Sequence, residues 1–166
     1  MSLSSFDATL DHRDGAWVLT MTRTLPHRAD VVWRWLTDPQ RLARWSPVVP
    51  DAPLTSIGAR QIRERPDGDP VDGEVLAVDA PHELVHRWGD DVLRWRLTDS
   101  DTGCTLTLEH RMADRGPAPM NAAGWHVCFD VLEPVLAGAD VPRRVGPDAL
   151  AVGWEALRDS YADALD

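Results

Sequence analysis

The sequence contains no lysine, and all 17 of its cationic residues are arginine. Schiff-base catalysis and a phosphate-binding loop with its lysine are therefore excluded. Tyrosine occurs once, at Tyr161, and no run of about 18 apolar residues suggests a membrane span. The net charge of −10 argues against nucleic-acid backbones and anionic membranes as partners, because both require a basic surface.

Cysteine is also scarce. Cys104 and Cys128 lack the C-x-x-C spacing of redox and zinc sites, and the sequence shows no secretory leader. We therefore expect reduced, buried thiols in a cytoplasmic protein. We expect no cofactor and no metal: His86, His110 and His126 are a conceivable ligand set, but no H-x-x-x-H or H-x-E spacing supports it.

Tryptophan, by contrast, is abundant, with eight residues in a chain of 166 that is 43% hydrophobic. A chain of this length forms one domain and buries ~70% of the surface that its unfolded form exposes. So many indole rings favour either a large aromatic core or a cavity lined by aromatic side chains.

Residues 119–136 are the best candidate for a long helix with one apolar face. At 100° per residue, Trp125 and Phe129 lie in a narrow arc with the leucines that follow them. His126 borders this stripe, four residues before Asp130, where an ordinary pair on the helix surface is the alternative to a role in a cavity. We expect a curved antiparallel sheet to wrap around this helix.

Turn signals and changes of period predict the remaining elements. The dipeptide Asp14-Gly15 divides residues 6–25 into a hairpin. Two short helices follow, the second with Asp38 as its N-cap and an end near Trp45. Period-two alternation then predicts five strands joined by short turns, at residues 57–65, 73–78, 83–88, 93–98 and 104–111. The first two of these strands are expected to form a hairpin.

The end of the chain, residues 138–166, reads as a loop and a final helix docked on the domain. Gly153 weakens this helix by ~1 kcal/mol relative to alanine. Its apolar residues recur at spacings of four, three and four, at Leu150, Trp154, Leu157 and Tyr161. We therefore expect a single domain over residues 1–166, with its core at residues 15–137.

The order of strand, two short helices, several strands and long helix resembles the helix-grip fold of the START-like (SRPBCC) superfamily. Residues 23–26 and 30–39, then 73–76, 105–110 and 124–126, are similar to the branch that includes the activator of heat-shock-protein-90 ATPase. This resemblance implies an α+β fold with a curved antiparallel sheet around the long C-terminal helix. It also implies a hydrophobic cavity between sheet and helix, which in the superfamily holds lipids, sterols or polyketides. One fold hosts many functions, so the resemblance says little about activity.

The candidate ligand-binding residues are those expected to face the interior, and plain core packing is the alternative for each of them. A histidine buried among leucine and tryptophan needs a hydrogen-bond partner, and most such histidines are satisfied core residues. His126 is the preferred polar cavity residue, because it belongs to the Gly124-Trp125-His126 motif. Arg60 and Arg96 could hold a ligand carboxylate, although alternation places Arg96 outward. The candidates are Trp45, His86, Trp88, Trp95, His110, Trp125, His126 and Phe129.

Three functions are compatible with these features. We favour binding of a small hydrophobic or aromatic ligand, with tryptophan and leucine providing affinity. The second is a non-metal cyclase or lyase for a polyketide-like substrate, in which a cavity histidine works with Glu64, Glu74 or Glu109 as acid and base. The third is a module that stimulates a chaperone ATPase, with a chaperone as partner. We expect a monomer, or a homodimer formed through an edge strand at residues 6–11.

Overall fold

The computed structural model of the protein describes residues 8–150 and 152–166. Its strands are β1 (Ala8–Arg13), β2 (Ala16–Leu25), β3 (Val49–Pro50), β4 (Gln61–Arg63), β5 (Val71–Asp72), β6 (Val75–Asp79), β7 (Glu83–Trp88), β8 (Asp91–Ser100) and β9 (Gly103–Met112). Its helices are α1 (Ala29–Thr37), α2 (Pro39–Leu42), α3 (Ala118–Leu136), α4 (Pro147–Leu150) and α5 (Trp154–Ala164).

Six strands form the main sheet, which is antiparallel throughout and has the order β1-β2-β9-β8-β7-β6. The side chains of its long strands alternate as predicted: Cys104, Leu106, Leu108 and His110 of β9 are all buried. The sheet is curved around the long helix α3, and two short helices follow the first long strand. The predicted α+β helix-grip fold is therefore confirmed.

Local signals position the first elements of the chain. Asp14 and Gly15 have φ angles of 51° and 78°, as the tight turn between β1 and β2 requires. Asp38 caps α2 as predicted, because its Oδ1 accepts a backbone N–H from the first turn at 3.1 Å. No side chain caps α1 from its own N-cap position; instead Oδ1 of Asp99 in β8 accepts the N–H of Ala29 at 3.0 Å.

Two predicted elements differ in extent or partner. The helix α2 ends at Leu42 rather than near Trp45. The predicted hairpin of residues 57–65 and 73–78 is present in part: β4 pairs antiparallel with β5, and Gly58 pairs with Val75. Its strands are shorter than predicted, and β4 also pairs with β3, so that β3, β4 and β5 form a separate three-stranded sheet. Of β4 only Ile62 is fully buried, so the weak alternation of this segment does not specify a register along its whole length.

The end of the chain forms two helices rather than the single predicted one. Gly153, with a φ of 87°, separates α4 from α5, because a left-handed residue ends regular α-helical geometry. The last helix α5 packs on α3, and Tyr161 is buried there. The predicted strand at residues 6–11 begins at Ala8 at the edge of the main sheet, and the first two residues of that segment lie outside the described residues.

The helix α3 is buried on more sides than an amphipathic stripe requires, because the sheet covers one side and α5 another. The apolar residues distributed along the 19 positions of α3 are therefore explained by packing within the domain. No helix in the described part of the chain is long and apolar enough to cross a membrane.

Candidate functional site

Four aromatic side chains fill much of the space between the main sheet and α3. Trp125 and Phe129 of α3 stack with ring centroids 6.0 Å apart, and Trp95 of β8 meets Trp125 edge-on at 5.3 Å. Trp45, which follows α2, lies 6.1 Å from Trp95 and 6.0 Å from Phe129. All four are almost fully buried. Rings at these distances attract one another beyond the effect of burial alone, so this aromatic cluster is a packed core.

His86 is fixed in this core by a tryptophan. The indole Nε1–H of Trp95 donates to Nε2 of His86 at 3.1 Å. The imidazole hydrogen is therefore on Nδ1, which donates to the carbonyl of Arg87 at 3.0 Å. Burial lowers the pKa of His86 to about 4, against the opposing effect of this backbone hydrogen bond. The ring is neutral at pH 7, and both of its nitrogens are occupied by the protein.

His110 has a similar arrangement. The indole Nε1–H of Trp125 donates to Nδ1 of His110 at 3.1 Å, so the imidazole hydrogen is on Nε2. Nε2 donates to Oδ2 of Asp91 at 2.7 Å. The ring of Trp88 covers His110, with centroids 5.7 Å apart. Neither nitrogen of His110 is available to a ligand in this arrangement.

His126 lies on the side of α3 that faces α5. Its Nδ1 is 2.7 Å from the hydroxyl oxygen of Tyr161, and its Nε2 is 3.4 Å from Oδ2 of Asp130. The pair with Asp130, which was the alternative to a role in a cavity, is thus present, although His126 is buried rather than on the helix surface. Burial raises the pKa of the Asp130 carboxyl, but His126 and the guanidinium of Arg23 outweigh it and hold that pKa below its usual range. These contacts join α3 to both α5 and β2.

A cavity of about 320 Å³ opens at the edge of the aromatic cluster. Trp88 at the end of β7 and Trp125 of α3, with centroids 5.5 Å apart, form an aromatic wall. The opposite wall is formed by described residues of the segment 138–166, which we call the C-terminal arm. The lining residues are Met120, Asn121, Gly124, Trp125 and Cys128 of α3, Arg144, Val145, Gly146, Ala149, Leu150 and Trp154 of the arm, and Pro47, Glu64 and Trp88.

The lining of this cavity is mainly apolar. Met120 and Leu150 are 46% and 53% exposed, so apolar side chains continue to the cavity's opening. Gly124 leaves space in the helix wall: a Cβ there would have Trp154 Nε1, at 4.0 Å, as its nearest neighbour outside the adjoining helix backbone. Burial raises the pKa of the Cys128 thiol to about 12, so this side chain is neutral at pH 7.

The C-terminal arm is held in place on the cavity. Nε of Arg143 donates to the carbonyl of Ser46 at 2.8 Å, and Nη2 of Arg65 donates to the carbonyl of Val145 at 3.2 Å. Val145 itself is 6% exposed and belongs to the core. A Cβ at Gly146 would lie 3.1 Å from Arg65, so the close approach of that side chain depends on glycine.

A second cavity, of about 400 Å³, shares Glu64 with the first. Five of the nine residues in its lining are charged, among them Arg63, Arg65 and Arg143. Each of these three guanidinium groups donates to a main-chain carbonyl. The second cavity thus has more charged residues in its lining than the first.

Two of the eight predicted ligand-binding residues, Trp88 and Trp125, line the first cavity. The cavity is displaced from the expected position, because the aromatic cluster occupies the centre of the space between sheet and helix. The remaining six form the cluster or the histidine contacts described above, and their part in binding stays a prediction: Trp45, His86, Trp95, His110, His126 and Phe129.

The polar residues that we considered for catalysis or anion binding are spread over the molecule. Glu64 lines the cavity. Glu74 lies 3.6 Å from Arg87, and Glu109 lies 3.4 Å from Arg13 on the outer face of the sheet. Arg60 donates to the carbonyl of Pro53, and Arg96 faces outward as predicted, 3.5 Å from Glu83. Within residues 8–150 and 152–166 no three side chains of the metal-binding types come together.

The contribution of the C-terminal arm to the cavity was not predicted from the sequence. Leu150 and Trp154 were recognised as parts of an apolar pattern, and this pattern was the available signal. It indicates that the arm docks on the domain, but it does not indicate which surface the arm covers.

One protein family and several solved structures are similar to this chain. The family model described as "Activator of Hsp90 ATPase homolog 1-like protein" matches residues 26–137. None of the curated proteins compared with the sequence matches it. The matched residues end just before the C-terminal arm, which supplies six of the cavity's lining residues.

Several solved structures are similar to this one. A conserved protein of unknown function from Enterococcus faecalis has a TM-score of 0.75 and 15% identity, over 95% of this chain and 89% of that chain. CalU16 from Micromonospora echinospora has a TM-score of 0.71 and 19% identity, over 94% of each chain. DynU16, described as a putative protein in the dynemicin biosynthetic locus, has a TM-score of 0.66 and 28% identity, over 74% of this chain and 48% of that chain. The match thus covers about half of DynU16, and the first two likenesses show the fold alone.

Proposed function

The chain belongs to the family of activator of Hsp90 ATPase homolog 1-like proteins, and on this premise we propose that it binds a small hydrophobic or aromatic ligand between α3 and the C-terminal arm. The observation that carries the proposal is the cavity of about 320 Å³ with an aromatic wall. Ligand pockets span about 300–1,000 Å³, so this volume suits a compact molecule of one to three rings.

The lining supports an apolar ligand. The faces of Trp88 and Trp125 offer stacking surface, and the exposed side chains of Met120 and Leu150 would be covered by a bound molecule. Apolar surface removed from water contributes about 25 cal/mol per Å², which favours a ligand that covers these residues. The structural similarity to DynU16, from the dynemicin biosynthetic locus, is consistent with a small-molecule ligand.

The proposal of binding is better supported than that of catalysis. A cyclase or lyase would need an acid or base that reaches the substrate. His86 and His110 use both ring nitrogens in bonds to the protein, and His126 faces α5. Glu64 is the carboxylate that lines the cavity, and it is exposed to solvent.

Stimulation of a chaperone ATPase is a separate candidate, supported by the family description. Its test is the rate of ATP hydrolysis by a purified chaperone of the heat-shock-protein-90 class with and without this protein. A stimulated rate would support this function, whereas an unchanged rate over a wide range of protein concentrations would contradict it.

Ligand binding is tested with phenylnaphthylamine, a neutral aromatic probe whose fluorescence rises in an apolar site. We expect saturable binding to the wild-type protein. Leu150→Ser should weaken binding about fivefold, because the loss of a partly covered leucine side chain costs about 1 kcal/mol. Ile57→Ser is the matched control, since Ile57 is 69% exposed and does not line the cavity.

Native mass spectrometry of the freshly purified protein complements this titration. A reproducible added mass that disappears on denaturation would identify the class of the natural ligand. If the wild-type protein binds no probe and carries no added mass, or if both serine variants weaken binding equally, the cavity is not the binding site.

A further inference from the structure

Arg144 brings an unpaired positive charge to the cavity. Its half-buried side chain lines the cavity, and it makes no hydrogen bond or ion pair with any residue that the structure describes. Most other described arginines donate to a carboxylate or a main-chain carbonyl. Partial burial removes hydration from a guanidinium, so an acceptor supplied by a ligand would compensate for the lost water contacts.

The other charged group of the lining, Glu64, has a positive charge close to it. Burial lowers the pKa of the Arg143 guanidinium, and the carboxylate of Glu64 opposes this shift, which means that the two charges are near each other. Cys128 is neutral because burial raises its pKa to about 12. Arg144 is the cation in the lining of the cavity, and no carboxylate of the described residues lies within ion-pair distance of it.

The backbone on both sides of Arg144 is fixed to the domain. The side chain of the preceding residue, Arg143, donates to the carbonyl of Ser46, and the carbonyl of the following residue, Val145, accepts from Arg65. An arginine whose main chain is already ordered loses less entropy when it binds a ligand than one on a free loop. This arrangement distinguishes Arg144 from an arginine on an unconstrained surface.

We infer that the ligand carries an anionic group, such as a carboxylate, which Arg144 binds while the apolar body of the ligand lies against Trp88 and Trp125. This inference rests on the proposed function and names the ligand class for the same cavity. The planar guanidinium donates two parallel hydrogen bonds to an oxyanion, a geometry that a neutral apolar ligand cannot use.

Two probes with the same aromatic body separate the anionic group from the apolar one. Anilinonaphthalene sulfonate carries a sulfonate, and phenylnaphthylamine lacks it. We expect the full-length Arg144→Gln variant to bind the sulfonate probe about tenfold more weakly than wild type, with the neutral probe unchanged. Added salt should weaken binding of the sulfonate probe alone. Arg34→Gln is the matched control, because Arg34 is exposed on α1, does not line the cavity and carries the same charge.

Each remaining outcome overturns the inference in a distinguishable way. If Arg144→Gln weakens both probes equally, Arg144 shapes the cavity rather than binding an anion, and the proposed function stands. If Arg34→Gln weakens the sulfonate probe as much as Arg144→Gln does, the effect is one of overall charge. If neither probe binds the wild-type protein, the proposed function fails together with the inference.

Discussion

A glycine in the wall of the cavity permits a test in which stability and binding change in opposite directions. Gly124 lies in the interior of α3, where glycine is less favourable than alanine by about 1 kcal/mol. A Cβ at this position would meet Trp154 Nε1 at 4.0 Å, an ordinary contact distance. We therefore expect Gly124→Ala to stabilise the protein by about 1 kcal/mol.

The same methyl group would occupy space that the ligand uses, because Gly124 lines the cavity. The loss of contact equivalent to one methylene costs a ligand about 0.8 kcal/mol, or about fourfold in Kd. Gly124→Leu places a larger side chain in the cavity and should abolish binding of phenylnaphthylamine. A variant that binds less while being more stable cannot owe its loss of binding to unfolding.

Urea denaturation and probe titration measure the two effects on the same samples. With a urea dependence of about 2 kcal/mol per M, the alanine variant should unfold at about 0.5 M higher urea than wild type. Gly116→Ala serves as the control for binding, because a Cβ there would have no neighbour within 4 Å and Gly116 does not line the cavity. If Gly124→Ala were less stable than wild type, the added methyl group would have no free space in the cavity beside α3. Probe affinity unchanged in both Gly124 variants would show that the ligand binds elsewhere.

Three further predictions concern stability. Folding lowers the pKa of His86 from 6.5 to about 4, so protonation of this side chain favours the unfolded chain. The contribution of His86 to the free energy of unfolding is therefore complete above about pH 6.5, and about 3 kcal/mol of it is lost towards pH 4. The free energy of unfolding of His86→Gln, which still accepts a hydrogen bond, should depend less on pH in urea titrations than that of wild type, and equal slopes would contradict this. Tyr161→Phe removes the hydroxyl that contacts His126 and should cost about 1 kcal/mol by urea unfolding, so unchanged stability would argue against a contribution from this contact. Gly103→Ala places a Cβ against the backbone carbonyl oxygen of Leu25 and should cost more than about 3 kcal/mol. Gly15→Ala, with positive φ but open space, should cost about 1 kcal/mol by thermal unfolding, and similar losses for the two variants would refute the steric argument.

Short-range signals in the sequence predict most of the main sheet and the helices. The dipeptide Asp14-Gly15 specifies a turn with two positive φ angles, and Asp38 supplies an oxygen to the first turn of α2. Both features depend on residues within a few positions of one another. Alternation likewise identifies the buried face of β9, because every second side chain lies on the same side of a strand.

The position of the cavity could not be predicted in the same way. Alternation shows that Trp95 and Trp88 both face inward, but not that Trp95 is packed among other rings while Trp88 borders open space. That difference depends on how far each ring lies from the C-terminal arm, which is a long-range contact. The hydrogen bonds from Trp95 to His86 and from Trp125 to His110 also join different elements, and no spacing within one element indicates them.

The cavity has walls of two kinds. One wall belongs to α3 and β7, within the residues that match the family model, and the other belongs to the C-terminal arm, which follows them. Substitution of Trp88 or Trp125 in the first wall disturbs the aromatic packing on which the fold depends, whereas the arm contributes mostly partly exposed side chains such as Leu150, Trp154 and Arg144. Evolution can therefore alter ligand preference through the arm while the rest of the domain stays constant, so homologous proteins with nearly identical cores need not share a ligand.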